Sequence, residues 1–548
     1  MKRVIIVGGV AGGMSAATRL RRLDARAEIV VLERSGHVSY ANCGLPYYVG
    51  GVIEDESSLL LQTPESLERR FRLDVRVRSE ATNIDAGSKR VTVTNLESNE
   101  QYVLEYDVLI LSPGASALIP SIPGIERALA LRNVEDVERM SLEVARTPRS
   151  AVIIGGGFIG LEIAENLRHR GIATTIVEAT MQVLAPLDPE MAQLVADELE
   201  SHDVALRLGV AVASVHADTV ELDTGESIDA ELVIVAVGVR PETALARSGG
   251  LRVGPRGGIF VDEFNRTSDL SIYAVGDAAE KVDALDGSAT LVPLANIANR
   301  QGRVVADHVA GREVRPVVTI GTAIVKVFDL TIATTGWNEK RLVENGRCVL
   351  AIHTHPYSHA AYYPGAKSMA LKILVDTASG AILGAQGVGT EGVDKRIDVL
   401  ATAMRGGITA PELADLELAY APPFGSAKDP INMLGYVAEN LLSGLEGTVQ
   451  WSEVEQLQVA GAQLVDVRTA KEFADGTIPG AINIPLDEIY HRLSEIDSHG
   501  VIIMCQAGVR GHTATRLLNE LGVAAKNLDG GYETWRHSPS ARRLQPVG

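Results

Sequence analysis

Three cysteines stand at positions 43, 348 and 505 of the 548-residue chain. They are odd in number and far apart, and no CxxC pair occurs, so neither a disulfide framework nor a zinc site is expected and no metal is called for. Each thiol must then be judged by its neighbours. Cys43 lies in Ser39-Tyr40-Ala41-Asn42-Cys43-Gly44-Leu45-Pro46-Tyr47-Tyr48, where Gly44 and Pro46 imply a rigid, irregular backbone with a helix starting close by. A thiol at such a helix start has its thiolate favoured by the dipole. The polar neighbours Ser39 and Asn42 argue against a plain core position. Positions 44 to 48 hold no second cysteine. Cys43 would therefore cycle as a thiolate against a mixed disulfide, persulfide or sulfenate. Cys348, between Arg347 and Val349, has no such setting and reads as structural.

The elements that must position Cys43 open with a strand at 4–7, a Gly-rich turn at 8–13, a helix at 14–23 and a strand at 28–32. The pattern returns at 151–154, 155–160, 161–168 and 173–177, which predicts two nucleotide-binding βαβ units. In the second unit Gly155, Gly157 and Gly160 satisfy GxGxxG between a strand and a helix. The first permits the tight turn, the second lets backbone approach a pyrophosphate, and the third allows close helix–strand packing. Glu178, eighteen residues past Gly160, is placed to accept hydrogen bonds from a ribose diol and to repel a 2′-phosphate, which favours NADH over NADPH. In the first unit Gly8, Gly12 and Gly13 are present, but Val10 takes the place of the second glycine. Glu33, next to Arg34, supplies the ribose partner. Asp277, at the end of the apolar run 272–276, suits a ribityl hydroxyl, so this site is expected to hold FAD. Electrons would then pass from nicotinamide to flavin to Cys43.

With 70 acidic against 51 basic residues the net charge is −19, which argues against nucleic acid or an anionic membrane as partner. An anionic ligand needs a local basic patch, and Arg19, Arg22 and Arg26 share one face of the first helix. No apolar run approaches the roughly 18 to 20 residues needed to span a bilayer. The apolar stretch after Lys2-Arg3 breaks at Gly8-Gly9, too soon for a signal peptide. A reducing cytoplasm is the expected compartment.

The Cys43 segment, both nucleotide motifs and Tyr420-Ala421-Pro422-Pro423-Phe424 resemble the coenzyme A-disulfide reductase branch of the single-cysteine pyridine nucleotide-disulfide oxidoreductases over about residues 1 to 445. The resemblance implies FAD and NADH domains, a third domain that forms a homodimer, and coenzyme A as ligand or substrate. It implies contacts to coenzyme A from Ser15, Arg19, Arg22, Ser39, Asn42, Asn299 and Lys428. It also implies a tyrosine pair serving the active sulfur, with Tyr420 as one member and Tyr362 or Tyr363 as the other.

Past a Gly-containing stretch at 443–447, Asp466-Val467-Arg468, the 478–485 segment and Cys505-Gln506-Ala507-Gly508-Val509-Arg510-Gly511 resemble a rhodanese domain in the right order. Such a loop at a helix start favours a thiolate and a persulfide, which makes Cys505 the sulfur acceptor and Arg510 the brace of its loop. Thr477 stands where a His is more usual. The expected fold class is α/β: two Rossmann-like domains, an α+β dimerisation domain and a C-terminal rhodanese domain. The expected boundaries are 1–115 with 250–321 for FAD, 116–249 for NAD(P)H, 322–445 for dimerisation, 446–452 as linker and 453–548 for the rhodanese unit. The expected activity is NADH-dependent reduction of coenzyme A persulfide, polysulfide or coenzyme A disulfide. Two rivals are an NADH peroxidase or oxidase using a Cys43 sulfenate, and a redox-sensing sulfur-relay protein.

Overall fold

The strand Arg3–Val7 is apolar at every interior position because both its faces are covered. Val4 and Ile6 pack with Ile29, Val31 and Ile110 on one side. Ile5 and Val7 pack with Val30, Leu32, Leu109 and Leu111 on the other. The result is a parallel five-stranded sheet in the order Ile272–Ala274, Val108–Leu111, Arg3–Val7, Glu28–Leu32, Asp74–Arg76. A second five-stranded parallel sheet runs Val204–Leu208, Ala173–Glu178, Ser150–Ile154, Leu232–Val235, Leu129–Ala130. Each central strand feeds a Gly-rich turn and a helix, Ala11–Leu23 in the first and Phe158–His169 in the second.

The computed structural model describes residues 2–498 and 500–544. The chain divides into two units, Met1–Met181 with Asp203–Ile320, and Gln182–His202 with Gly321–Gly548. The two nucleotide sheets lie in the first. In the second, five antiparallel strands run in the order Ala323–Val327, Leu330–Gly336, Ile382–Gly389, Met369–Asp376, Val349–Thr354. The helices Val393–Gly406 and Pro430–Leu442 pack on this sheet through Ile397, Leu400, Ile431 and Leu434. A last parallel sheet has the order Thr448–Val449, Ala525–Leu528, Val501–Met504, Gln463–Asp466, Ile482–Asn483. Its edge strand Thr448–Val449, paired with Asn527 and Leu528, falls inside the stretch expected as a linker. Among the described residues no helix is long and apolar enough to cross a membrane.

Candidate active site: two sulfur centres

In the first unit, Gly8 has φ +97°, and a Cβ there would fall 2.0 Å from the Ser112 carbonyl oxygen. A Cβ on Gly13 would fall 1.9 Å from the Gly8 carbonyl oxygen, so helix Ala11–Leu23 sits on its strand at a distance only glycine permits. Glu33, at the end of the neighbouring strand, accepts from the Gly9 N–H at 2.8 Å and the Ser35 N–H at 2.8 Å. Below this turn lies a cavity of about 490 Å³ whose wall includes Gly8, Gly12, Glu33, Arg34, Asp277 and Cys43. Gly13, the remaining member of the first glycine set, acts in the packing and not in the wall.

The second loop repeats the geometry. Glu178 accepts from the Gly156 N–H at 2.8 Å and the Thr180 N–H at 2.8 Å. A Cβ on Gly160 would lie 2.1 Å from the Gly155 carbonyl oxygen, whereas one on Gly157 would meet nothing within 4 Å. Gly160 therefore serves packing, and Gly157 keeps open the space above the helix start.

Cys43 sits in the short turn Asn42–Gly44 ahead of the helix Leu45–Gly50. That helix lies on Phe158–His169: a Cβ on Gly50 would clash with the Asn166 side chain at 1.8 Å, and Tyr47 donates to Glu162 at 3.2 Å. The packing places Cys43 on the wall of the first cavity and beside the helix that begins at the second loop. The cavity reaches Cys43, which is exposed, but protein surrounds the rest of the residue. Burial pushes its thiol up, as do the charges of Glu162 and Asp277, against an opposing effect from Arg132. The expected dipole-favoured thiolate is thus not seen in the protein alone: burial first, and then the charges of Glu162 and Asp277, disfavour it. Burial also raises Glu162 to about 7.

Three residues here were not singled out by the sequence. Arg132 pairs with Asp277 and donates to the Ala115 carbonyl at 2.8 Å. Lys281 is buried and clasps the Asp277 turn through the Gly276 and Ala279 carbonyls at 2.6 and 2.9 Å. Its ammonium is lowered to about 8 by burial, which Asp277 partly offsets. Glu162 stands two positions past Gly160, so its place at the start of that helix was readable, although its reach to Tyr47 was not.

Ser15 donates to Asn299 at 2.6 Å, since Gly302 lets helix Ala295–Val309 approach Gly12 and Ala16 closely. Arg19 is held by Asp307 at 2.6 Å, while Arg22 is exposed. Ser39 is in the left-handed region at φ +49°, where its N–H donates to the Gly9 carbonyl at 2.8 Å. In the second unit the hydroxyls of Tyr362 and Tyr420 lie 3.0 Å apart on exposed side chains, and Tyr363 instead packs edge-on against His359. Lys428 is exposed. Cys348 is also exposed.

Cys505 ends the strand Val501–Met504 and is buried, with 1% of its surface exposed. The helix Val509–Glu520 begins four residues on. Arg510 makes a two-point ion pair with Glu472 at 2.9 and 2.6 Å, which holds that carboxyl down at about 2. Thr477 donates to the buried Asp466 at 2.9 Å, and Asp466 in turn pairs with Arg468 at 2.8 Å.

With both sites described, the class is settled: the chain belongs to the pyridine nucleotide-disulphide oxidoreductase family. That family's model matches residues 2–302, its dimerisation domain matches 322–429, and a rhodanese-like domain matches 450–538. Among particular relatives, the coenzyme A disulfide reductase of Staphylococcus aureus (strain JH9) is 35% identical, covering 80% of this chain and 100% of its own. The crystal structure of reduced CoADR-RHD from Bacillus anthracis shares 47% identity over 99% of both chains with a TM-score of 0.97. An NAD-dependent persulfide reductase from A. fulgidus shares 36% identity over 97% of this chain and 100% of its own, with a TM-score of 0.92. The water-forming NADH oxidase of Lactobacillus brevis is 26% identical over 81% of this chain and 99% of its own, with a TM-score of 0.78. Membership implies FAD and a nicotinamide coenzyme. The glycine-lined turns, the paired Glu33 and Glu178 and the Asp277 wall suit those two ligands.

Proposed function

We propose that the protein is an FAD-dependent, NADH-linked reductase of coenzyme A persulfide, polysulfide or coenzyme A disulfide, acting as a homodimer, with Cys505 as a sulfur acceptor. The observation that carries this is the position of Cys43, a thiol with no neighbouring cysteine, on the cavity wall that also holds Gly8, Glu33 and Asp277. Likeness over nearly the full chain to a persulfide reductase supports sulfane sulfur as the substrate. Glu178 supports NADH, because a carboxylate already accepting two N–H groups repels a 2′-phosphate.

FAD, when bound, carries two electrons from the nicotinamide to the sulfur at Cys43. The Cys43 thiolate attacks the outer sulfur of a coenzyme A persulfide, the sulfur–sulfur bond breaks, and coenzyme A leaves as a thiol after taking one proton. Two electrons then cleave the Cys43 persulfide to the Cys43 thiolate and hydrosulfide. Glu162, holding a proton to about pH 7 and bonded to Tyr47, is the carboxyl nearest in chemistry to a proton source for the leaving sulfur. Ser15, Arg19, Arg22, Ser39, Asn42, Asn299 and Lys428 are proposed to bind coenzyme A, and Tyr362 with Tyr420 to orient the substrate thiol. Cys43 and Cys505 belong to different units, so a thiol carrier moving between them is part of the proposal.

The test is NADH consumption with coenzyme A persulfide, coenzyme A disulfide, peroxide and oxygen in parallel. Faster turnover with the sulfur acceptors, by at least tenfold, is expected. Preference for peroxide or oxygen would move the chain to the peroxidase or oxidase reading. Turnover well below one per minute with every acceptor would favour a sensing role.

A further inference from the structure

The Cys505 loop is held from behind by the segment that follows strand Ala525–Leu528. The Tyr532 N–H donates to the Cys505 carbonyl at 2.8 Å and the Glu533 N–H to the Gln506 carbonyl at 2.9 Å. The Gln506 amide donates to Glu533 at 2.8 Å, and Arg468 donates to Gln506 at 2.9 Å. A Cβ on Gly531 would lie 2.5 Å from the Cys505 carbonyl oxygen. These contacts fix the backbone of the Cys505 loop, and the Cys505 side chain within it is 1% exposed.

The segment is itself pinned at Asp529 and Thr534, both by strand Val349–Thr354 and the residue just past it. His353 is fully buried, with Nδ1 at 2.5 Å from Asp529 and Nε2 at 3.0 Å from Glu190. Its backbone N–H also donates to Asp529, at 3.1 Å. Both ring nitrogens face carboxylates, so both carry hydrogen and the ring is an imidazolium. His355 is half-buried, and its Nε2 lies 2.8 Å from the Thr534 hydroxyl. Directly across the sheet from His353 stands Lys372. Its ammonium reaches Glu190 at 2.6 Å, Glu339 at 2.7 Å and Asp188 at 2.9 Å. Two buried cations opposite one another repel, and Glu190 reconciles them by accepting from both.

We propose that His353 is a positioning residue for the sulfur-accepting loop: as an imidazolium gripped by Asp529 and Glu190, it holds residues 529–533 against the Cys505 loop and slows the opening of that thiol. This rests on the reading of Cys505 as the sulfur acceptor. The groups facing His353 are Asp529, Glu190, Lys372 and His355. Burial alone would push its imidazolium down, but the two carboxylates overcome that and raise it to about 9. His355, lacking such partners, is forced down to about 3 and stays neutral. The lock is therefore closed through neutral pH and released as pH rises through about 9.

Alkylation by iodoacetamide, read by mass spectrometry on the intact holoenzyme, tests this with exposed Cys348 as internal reference. Cys505 in the wild type is expected to react slowly relative to Cys348. His353→Gln and, separately, Asp529→Asn are each expected to raise that ratio at least tenfold, and the double variant no further, because both break one pair. In the wild type the ratio climbs as pH passes about 9, and in His353→Gln that climb is absent. The thiosulfate-to-cyanide sulfur transfer of the same samples separates the two readings. Transfer absent from the wild type and from both single variants alike would overturn Cys505 as acceptor, whereas a Cys505 ratio within twofold of wild type in either single variant would overturn the lock. If His353→Gln fails to fold, Asp529→Asn and the wild-type pH series decide alone.

Discussion

At the scale of single residues, the chemistry rests on how few alternatives Cys43 has. Among the described residues it is one of three free cysteines, and the other two are Cys348, exposed, and Cys505, buried in the rhodanese-like unit. Cys43→Ser is expected to abolish NADH-linked sulfur reduction, by at least a thousandfold in kcat/KM, and to leave thiosulfate sulfurtransfer at Cys505 intact. Glu162 gives a prediction with a definite sign. Its carboxyl keeps a proton up to about pH 7 in the folded protein, whereas unfolded Glu ionises near about 4.3. Unfolding between those values releases a proton, so this residue makes stability fall as pH rises across that window. Glu162→Gln is expected to raise the thermal midpoint at pH 8 and to change it little at pH 4, in parallel melts of the flavin-free protein. The turn that carries Cys43 ahead of a helix, and the glycine-rich turns with Glu33 and Glu178 beside them, were legible in the sequence. Arg132, Lys281 and the partner of Tyr47 were not, because each depends on a contact between segments distant in sequence.

At the scale of elements, close packing decides where the site residues stand. Gly302 lets the helix Ala295–Val309 lie against Ala11–Leu23, with a Cβ there only 2.3 Å from the Gly12 carbonyl oxygen. Gly302→Ala is expected to cost about 1–3 kcal/mol in denaturant unfolding and to weaken coenzyme A binding by shifting Asn299 from Ser15. Lys372→Met leaves Glu190 and Asp188 buried without their cation. It is expected to destabilise the protein by about 3–5 kcal/mol. The same scale shows what the sequence hid. Strand Ile382–Gly389 contains Gly384, Gly387 and Gly389, a composition that reads as loop. Gly384 is there because a Cβ would fall 1.9 Å from the Trp337 carbonyl oxygen. The first helix starts at 11, three residues ahead of its expected position, since the end of the Gly-rich turn is itself the first helical turn.

At the scale of the whole molecule, the order of domains was readable because the two nucleotide-binding units open with strand-and-turn signals and the C-terminal unit carries motifs of its own. The matched families follow that order along the chain. The helix Pro189–Ser201 is the exception. Sequence places it between two strands of the second nucleotide sheet, yet it belongs to the unit built from residues 182–202 and 321–548. Its Glu190 bonds His353, and its Asp197 bonds His537 at 2.9 Å. No periodicity announces pairs separated by more than 150 positions. The two sulfur centres therefore make separable claims. Cys505→Ser is expected to lower turnover with persulfide or polysulfide donors while leaving coenzyme A disulfide reduction unchanged, as steady-state NADH assays with each substrate would show.

The central claim is that Cys43 receives sulfane sulfur and returns it as hydrosulfide at the expense of NADH. Its most direct test is the anaerobic stoichiometry of NADH oxidised to sulfide released on coenzyme A persulfide, in wild type and Cys43→Ser. One NADH per sulfide, with both lost together in the variant, is the predicted result. Sulfide release without matching NADH oxidation, or persistence of both in Cys43→Ser, would contradict it.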